Sequence, residues 1–108
     1  MRPCLTLPTQ MVMANAAETR AEIRALVAEG RTRLILDLSG VEFVDSSGLS
    51  VLVSALKAAA PRNGRVVLLA PSAGVRSLIE LTRLHQVLTI FEDRDAALEE
   101  LTPYSEAG

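Results

Sequence analysis

Residues 34 to 49 read LILDLSGVEFVDSSGL, and this run limits the chain more than any other. Leu34 to Leu38 is apolar and β-prone, as a central strand must be, with Asp37 near its end, where a carboxylate either stays wet or bonds the following turn. Gly40 permits that turn as structural support beside Asp37, and Phe43 and Val44 add apolar contacts. A polar elbow, Asp45 to Gly48, then leads into Leu49, Leu52, Val53 and Leu56, the i, i+3, i+4, i+7 spacing of a helix face. The helix is predicted from about Ser47 or Gly48 to Ala60, with Pro61 ending it.

The flanking segments repeat the alternation of strand and helix. Cys4 to Leu7 reads as a short edge strand bounded by Pro3 and Pro8, which lack ladder donors, and Gln10 to Met13 as a second, weaker one. Asn15 followed by Glu18 has the spacing of a capping box, and Thr19, Ile23, Leu26 and Val27 form a helix face that should stop at Gly30. Arg62 to Gly64 is a turn, Arg65 to Ala70 a buried strand, and Pro71-Ser72 the opening of a helix with Val75, Leu78 and Ile79 inward. Val87 to Phe91 is a further strand, and Asp93 caps a last helix carrying Ala97, Leu98 and Leu101. A tail predicted to fray begins at about Thr102. The expected fold class is α/β: a single domain over residues 1 to 108, with a mixed, mostly parallel β-sheet and about four helices.

At 108 residues, 49% of them apolar, the chain can close one modest core. With two Phe, one Tyr and no Trp it offers few stacking platforms, and a net charge of -2 gives no basic field, so direct nucleic-acid binding is not expected. Cys4 is the sole cysteine, which excludes an intrachain disulfide and suits a reducing compartment. Pro3, Pro8, Gln10, Asn15 and Glu18 interrupt the first twenty residues, unlike a secretory leader, and no stretch approaches the roughly 18 apolar residues of a membrane span. Cytoplasmic localisation without membrane insertion is the expectation.

The elbow is where chemistry is concentrated. Ser46, Ser47 and Gly48 lie at a helix N-terminus, where the first amides lack intrahelical acceptors. A phosphoryl group on Ser46 can collect those donors, and its charge of about -1.5 to -2 beside Asp45, and near Asp37 if the fold brings it close, would turn a nearly neutral surface anionic. Simple capping by Ser46 or Ser47 explains the same residues. Ser50, Val51 and Ser54 are placed on the exposed side of the helix, forming with Asp45, Ser47 and Gly48 a candidate partner-binding surface; an isolated exposed Val would look the same.

The run DLSGVEFVDSSGL resembles the central signature of the STAS family, whose simplest members are bacterial anti-sigma factor antagonists. ANAAETR at 14 to 20 is similar to the family's first-helix entry, and GRVVLLAPSAGVRSLIELT at 64 to 82 to its strand and third helix, so the likeness covers about residues 5 to 101. The resemblance implies that Ser46, directly after the Asp of the family's D-S-[ST]-G motif, is phosphorylated by an anti-sigma factor with serine kinase activity. It also implies that the unmodified form binds that anti-sigma factor, that phosphorylation weakens the complex, and that a phosphatase restores it. Thr9 to Val12 stands where the family commonly has Gly-x-[Leu/Ile]-Asp, so Val12 replaces an acid. That departure motivates the alternative expectation of a non-switching STAS module in a stressosome-like or lipid-transport assembly.

Other chemistries fit less well. A serine hydrolase needs an oriented base, and His85 is the one histidine. Asp37 and Asp45 suit a hard cation but equally a solvated rim. Lys57 is the sole lysine and lies on the second helix, unlike the strand-end lysine of receiver domains. The glycines lack a phosphate-loop pattern. Arg62 and Arg65 could meet an acidic partner or remain solvated. No catalytic residue, metal or cofactor is therefore expected, and the chain reads as a binding protein rather than an enzyme.

Overall fold

The computed structural model describes residues 4 to 101. Strands β1 (Cys4–Thr6), β3 (Arg33–Asp37), β5 (Arg65–Leu69) and β6 (Thr89–Phe91) form a sheet in the order β1-β3-β5-β6, and each ladder is parallel. A separate parallel pair joins β2 (Gln10–Met11) to β4 (Phe43–Val44), so Phe43 and Val44 are a strand and not merely turn contacts. The helices are α1 (Met13–Ala28), α2 (Ser46–Ala59), α3 (Ala73–Leu81) and α4 (Arg94–Leu101). Parallel neighbours require each connecting helix to return against the strand direction. Hence α1 and α2 run parallel to one another, with their N-termini at the carboxyl end of the sheet, where open α/β sheets place their sites.

Strand alternation divides the core in two. Leu34 and Leu36 of β3, with Val66 and Leu68 of β5, face a large cluster containing Ile23 and Val27 of α1, Val51, Leu52 and Ala55 of α2, and Ile79 of α3. Ile35, Val67 and Leu69 point the other way, where Ala97 and Leu101 of α4 cover them. A strand flanked on both faces cannot show apolar and polar residues in alternation, which is why the LILDL run is continuous. Asp37 belongs to the α4 face and is 5% exposed. Its carboxylate accepts from the Ser39 amide at 2.9 Å and from Arg94 at 3.3 Å, so it bonds the following turn instead of staying wet. Arg94 also donates to the Cys4 thiol at 3.2 Å, tying α4 to the edge strand.

That arrangement sets a stability test. Arg94→Ala removes a half-exposed partner from a buried carboxylate, and the domain should lose about 1 kcal/mol, less than for a fully buried pair because solvent reaches the guanidinium. Urea unfolding at neutral pH measures it; an unchanged midpoint would show that water replaces Arg94 at no cost.

Several boundaries differ from the sequence expectation. α1 begins at Met13, not after an Asn15 cap; Val12 is the N-cap residue, and the Asn15 side chain accepts from the Val12 amide at 3.0 Å. Glu18 therefore does not complete a box with Asn15. Gly40 is exposed, is not among the positive-φ residues, and a Cβ there would meet nothing within 4 Å, so the turn does not require glycine. The last strand starts at Thr89, because Leu84–Gln86 forms a 3-10 turn and Val87 stays exposed. Arg62 donates to the Val27 carbonyl at the end of α1, and Arg65 pairs with Glu100 at 2.7 Å, so both arginines serve the fold. The tail expected from Thr102 lies outside the described residues.

Candidate functional site

The elbow is assembled by one carboxylate. Asp45, half-buried and extended, is the N-cap of α2: its Oδ1 accepts from the Gly48 amide at 3.0 Å. Its Oδ2 accepts from the Met13 amide at 3.1 Å, at the first residue of α1. One side chain thus bonds the N-termini of two adjacent helices, where ionised acceptors are strongest. The sequence explains why: Val12 offers no side-chain acceptor at the start of α1, and Asp45 supplies it from 32 residues away. The Asp45 amide in turn donates to the Met11 carbonyl at 3.1 Å, fastening the elbow to β2.

This bonding holds the Asp45 carboxyl below its ordinary range. The Gly48 amide is the main cause, partial burial opposes it, and the amides of Met13, Ser47 and Asp45 itself add to the lowering. A carboxylate depressed in the folded state stabilises the fold above its unfolded pKa, and that contribution disappears as pH falls through the folded value. The advantage of the parent over Asp45→Asn in urea should therefore be full at pH 7 and shrink below about pH 4. Curves that stay parallel down to acid would remove the ionised cap from the account.

With Asp45 as the cap, Ser46 and Ser47 are released from the capping role expected of one of them. Ser46 is the first residue of α2, exposed, and its hydroxyl has no hydrogen-bond partner among the described residues. Ser47 is half-buried, and its carbonyl accepts from the Ser50 hydroxyl at 2.7 Å. Ser50 is exposed and also accepts from Arg20 of α1 at 2.9 Å, while Ser54 is half-buried. Two residues of the expected partner surface are instead in the interior. Val51 is 1% exposed, and Gly48 lies against Met11, whose Cβ would be 2.7 Å from any Cβ added there.

The cause is a rotation of α2 relative to the expected face. Gly48, Val51, Leu52, Ala55 and Ala59 are buried, whereas Leu49, Val53 and Leu56 are half-buried on the flanks. Small residues let the helix axis come close to β2 and the sheet, and that close approach decides which side turns inward. The Asp37 carboxylate is bonded to Arg94 of α4, whereas the Asp45 carboxylate bonds the N-termini of α1 and α2.

Sequence reasoning missed two apolar neighbours of the elbow. Met13, whose amide rests on Asp45, is 76% exposed, and Phe43, two residues before Asp45, is 55% exposed. Phe43 also lines a shallow groove of about 260 Å³ with Val44, Val75 and Leu78. Phe43 faces away from the core because it alternates with the buried Val44 in β4, and Met13 opens α1 just beyond β2. His85 is exposed on the 3-10 turn after α3. Among the described residues no group of three or more His, Cys, Asp or Glu is placed to hold a metal, and no helix is long and apolar enough to cross a membrane.

A parallel α/β domain with a serine-bearing helix mouth at the carboxyl end of its sheet is the class that fold and site define. The STAS domain model matches residues 3–97, and the chain belongs to that family. Its members are regulatory binding domains without catalytic activity. A putative anti-sigma factor antagonist, BtrV of Bordetella bronchiseptica, is 31% identical over 84 residues, 78% of this chain and 72% of that protein. The crystal structure of a putative anti-sigma factor antagonist from Thermotoga maritima superposes with a TM-score of 0.85 at 25% identity, covering 95% of this chain and 91% of that one. An anti-sigma factor antagonist from Mycobacterium paratuberculosis gives 0.82 at 27% identity over 93% and 85% of the two chains.

Proposed function

We propose that this chain is an anti-sigma factor antagonist: in its unmodified form it docks on an anti-sigma factor with serine kinase activity, which phosphorylates Ser46 and thereby ends the complex. The observation that carries the reading is the exposed Ser46 hydroxyl at the first position of α2, without a hydrogen-bond partner among the described residues, with Asp45 already serving as cap. A kinase can take that hydroxyl without dismantling the helix start. The docking surface comprises Ser46, the exposed edge at Ser50, and the apolar flanks Met13 and Phe43, with Asp45, Ser47, Gly48 and Ser54 shaping it from beneath. Its apolar flanks suit a partner that excludes water around a polar centre.

Phosphate on Ser46 would stand beside an Asp45 carboxylate that stays ionised at neutral pH, and a partner burying both would have to desolvate two neighbouring anions. A phosphatase that removes the group restores docking, and the exchange takes place in the cytoplasm, where kinase and ATP are available.

Incubation with the cognate kinase and ATP, followed by intact-mass and fragment analysis, tests the assignment. One phosphate on Ser46 is expected; phosphate on Ser47 or Ser50 instead, or none, overturns it. Co-purification of a transporter ATPase or a stressosome scaffold without any anti-sigma kinase would favour the non-switching module, for which Val12 in place of an acid is the motive.

A further inference from the structure

Arg20 of α1 reaches across to α2. Its guanidinium donates to the Ser50 hydroxyl at 2.9 Å, while its Nε is buried and makes no hydrogen bond among the described residues. The Ser50 hydroxyl spends its own proton on the Ser47 carbonyl at 2.7 Å, so its oxygen is left facing Arg20. A neutral hydroxyl is a modest acceptor for a guanidinium with an unmet donor, and an anionic oxygen pair is the acceptor that its planar fork fits best.

Ser46 lies one helical turn before Ser50, on the same face of α2 and about 6 Å along the axis. Because α1 and α2 run parallel, the N-terminal lean of helical side chains points Arg20 toward the same end of the pair at which Ser46 sits. We infer that Arg20 is an intramolecular ligand for a phosphoryl group on Ser46, an inference that rests on the phosphate-acceptor reading above and adds the residue that receives the modified state. On phosphorylation the guanidinium leaves Ser50 and bridges to the phosphate across the α1–α2 seam. Ser50 is then a positioning residue that holds Arg20 in waiting. The group retains net negative charge after pairing, since it carries nearly two charges against one.

The test avoids the kinase. Phosphoserine is installed at position 46 of the full chain during translation, and its second ionisation is followed by phosphorus NMR between about pH 4 and 8, a window that brackets the usual value near 6. Arg20→Gln should raise that pKa by roughly half a unit, about a threefold change in the ionisation constant, whereas Arg24→Gln, the same charge change one turn further along α1, should leave it in place. Asp45 is present in all three proteins and raises the value equally, so the difference reports Arg20. Arg20→Lys should recover part of the shift, and amide spectra of each variant verify the fold. An Arg20→Gln protein that titrates like its parent, or an equal shift from Arg24→Gln, overturns the inference. Failure of the kinase to modify Ser46 would sink the parent reading and leave this titration unaffected, so the two failures are separable.

Discussion

Gly48→Ala should lose about 2 to 3 kcal/mol of unfolding free energy, although alanine is the better helix former by about 1 kcal/mol at an open site. The added methyl would press on the Met11 carbonyl oxygen and stand 2.7 Å from the Met11 Cβ, and the backbone of β2 cannot yield as a side-chain tip would. The oxygen it meets is the one that accepts the Asp45 amide at 3.1 Å. Relief therefore requires α2 to move off β2, stretching that bond and with it the double cap made by Asp45. Gly74 supplies the control: it lies in the first turn of α3, exposed, with nothing within 4 Å of an added Cβ, so Gly74→Ala should be neutral or gain a few tenths of a kcal/mol. Urea midpoints of both variants decide the matter. Equal effects at the two glycines would mean that the approach of α2 to β2 is not what seats the elbow.

The other large effect is functional and has opposite signs in two assays. Ser46→Asp puts a carboxylate at the first residue of α2, where the helix dipole favours it, so the isolated domain should gain about 0.3 to 1 kcal/mol. The same charge beside Asp45 should weaken the complex with the anti-sigma factor by about ten- to a hundredfold, or roughly 1.4 to 2.8 kcal/mol. Ser46→Ala, which removes only an exposed hydroxyl without a partner among the described residues, should bind like the parent. A stabilised domain with weakened docking separates an electrostatic switch from damage to the fold. Loss of binding in both variants would instead make the hydroxyl itself a contact.

Much of this architecture was legible because the core is built from simple patterns. The continuous LILDL and RVVLL runs announce β3 and β5, α3 opens at Ser72 and α4 is capped by Asp93 as the sequence predicts, and each of the two side chains accepts an amide three residues on. The elbow itself was visible as a strand-to-helix passage ending in glycine. What stayed hidden depended on distance in sequence. Asp45 bonding Met13, Gly48 resting on Met11 and Arg20 reaching Ser50 join segments about 30 residues or more apart, and no periodicity records them. The inward face of α2 departs from its hydrophobic spacing for a related reason: size ranks Leu49 and Leu56 as core, yet they are half-buried, and Gly48, Ala55 and Ala59 turn inward so that backbones can approach. Ala70 shows the same limit: just past β5, with its amide donating to the Phe91 carbonyl, it has a left-handed φ of 51° that no glycine or asparagine marks in the sequence.

Calorimetric titration of the cognate anti-sigma factor with unmodified protein and with protein bearing phosphoserine at 46 addresses the switch most directly. A one-to-one complex is expected for the first and affinity at least about a hundredfold lower for the second, with the unfolding midpoint of the phosphorylated domain preserved. Equal affinity of the two forms would contradict the switch.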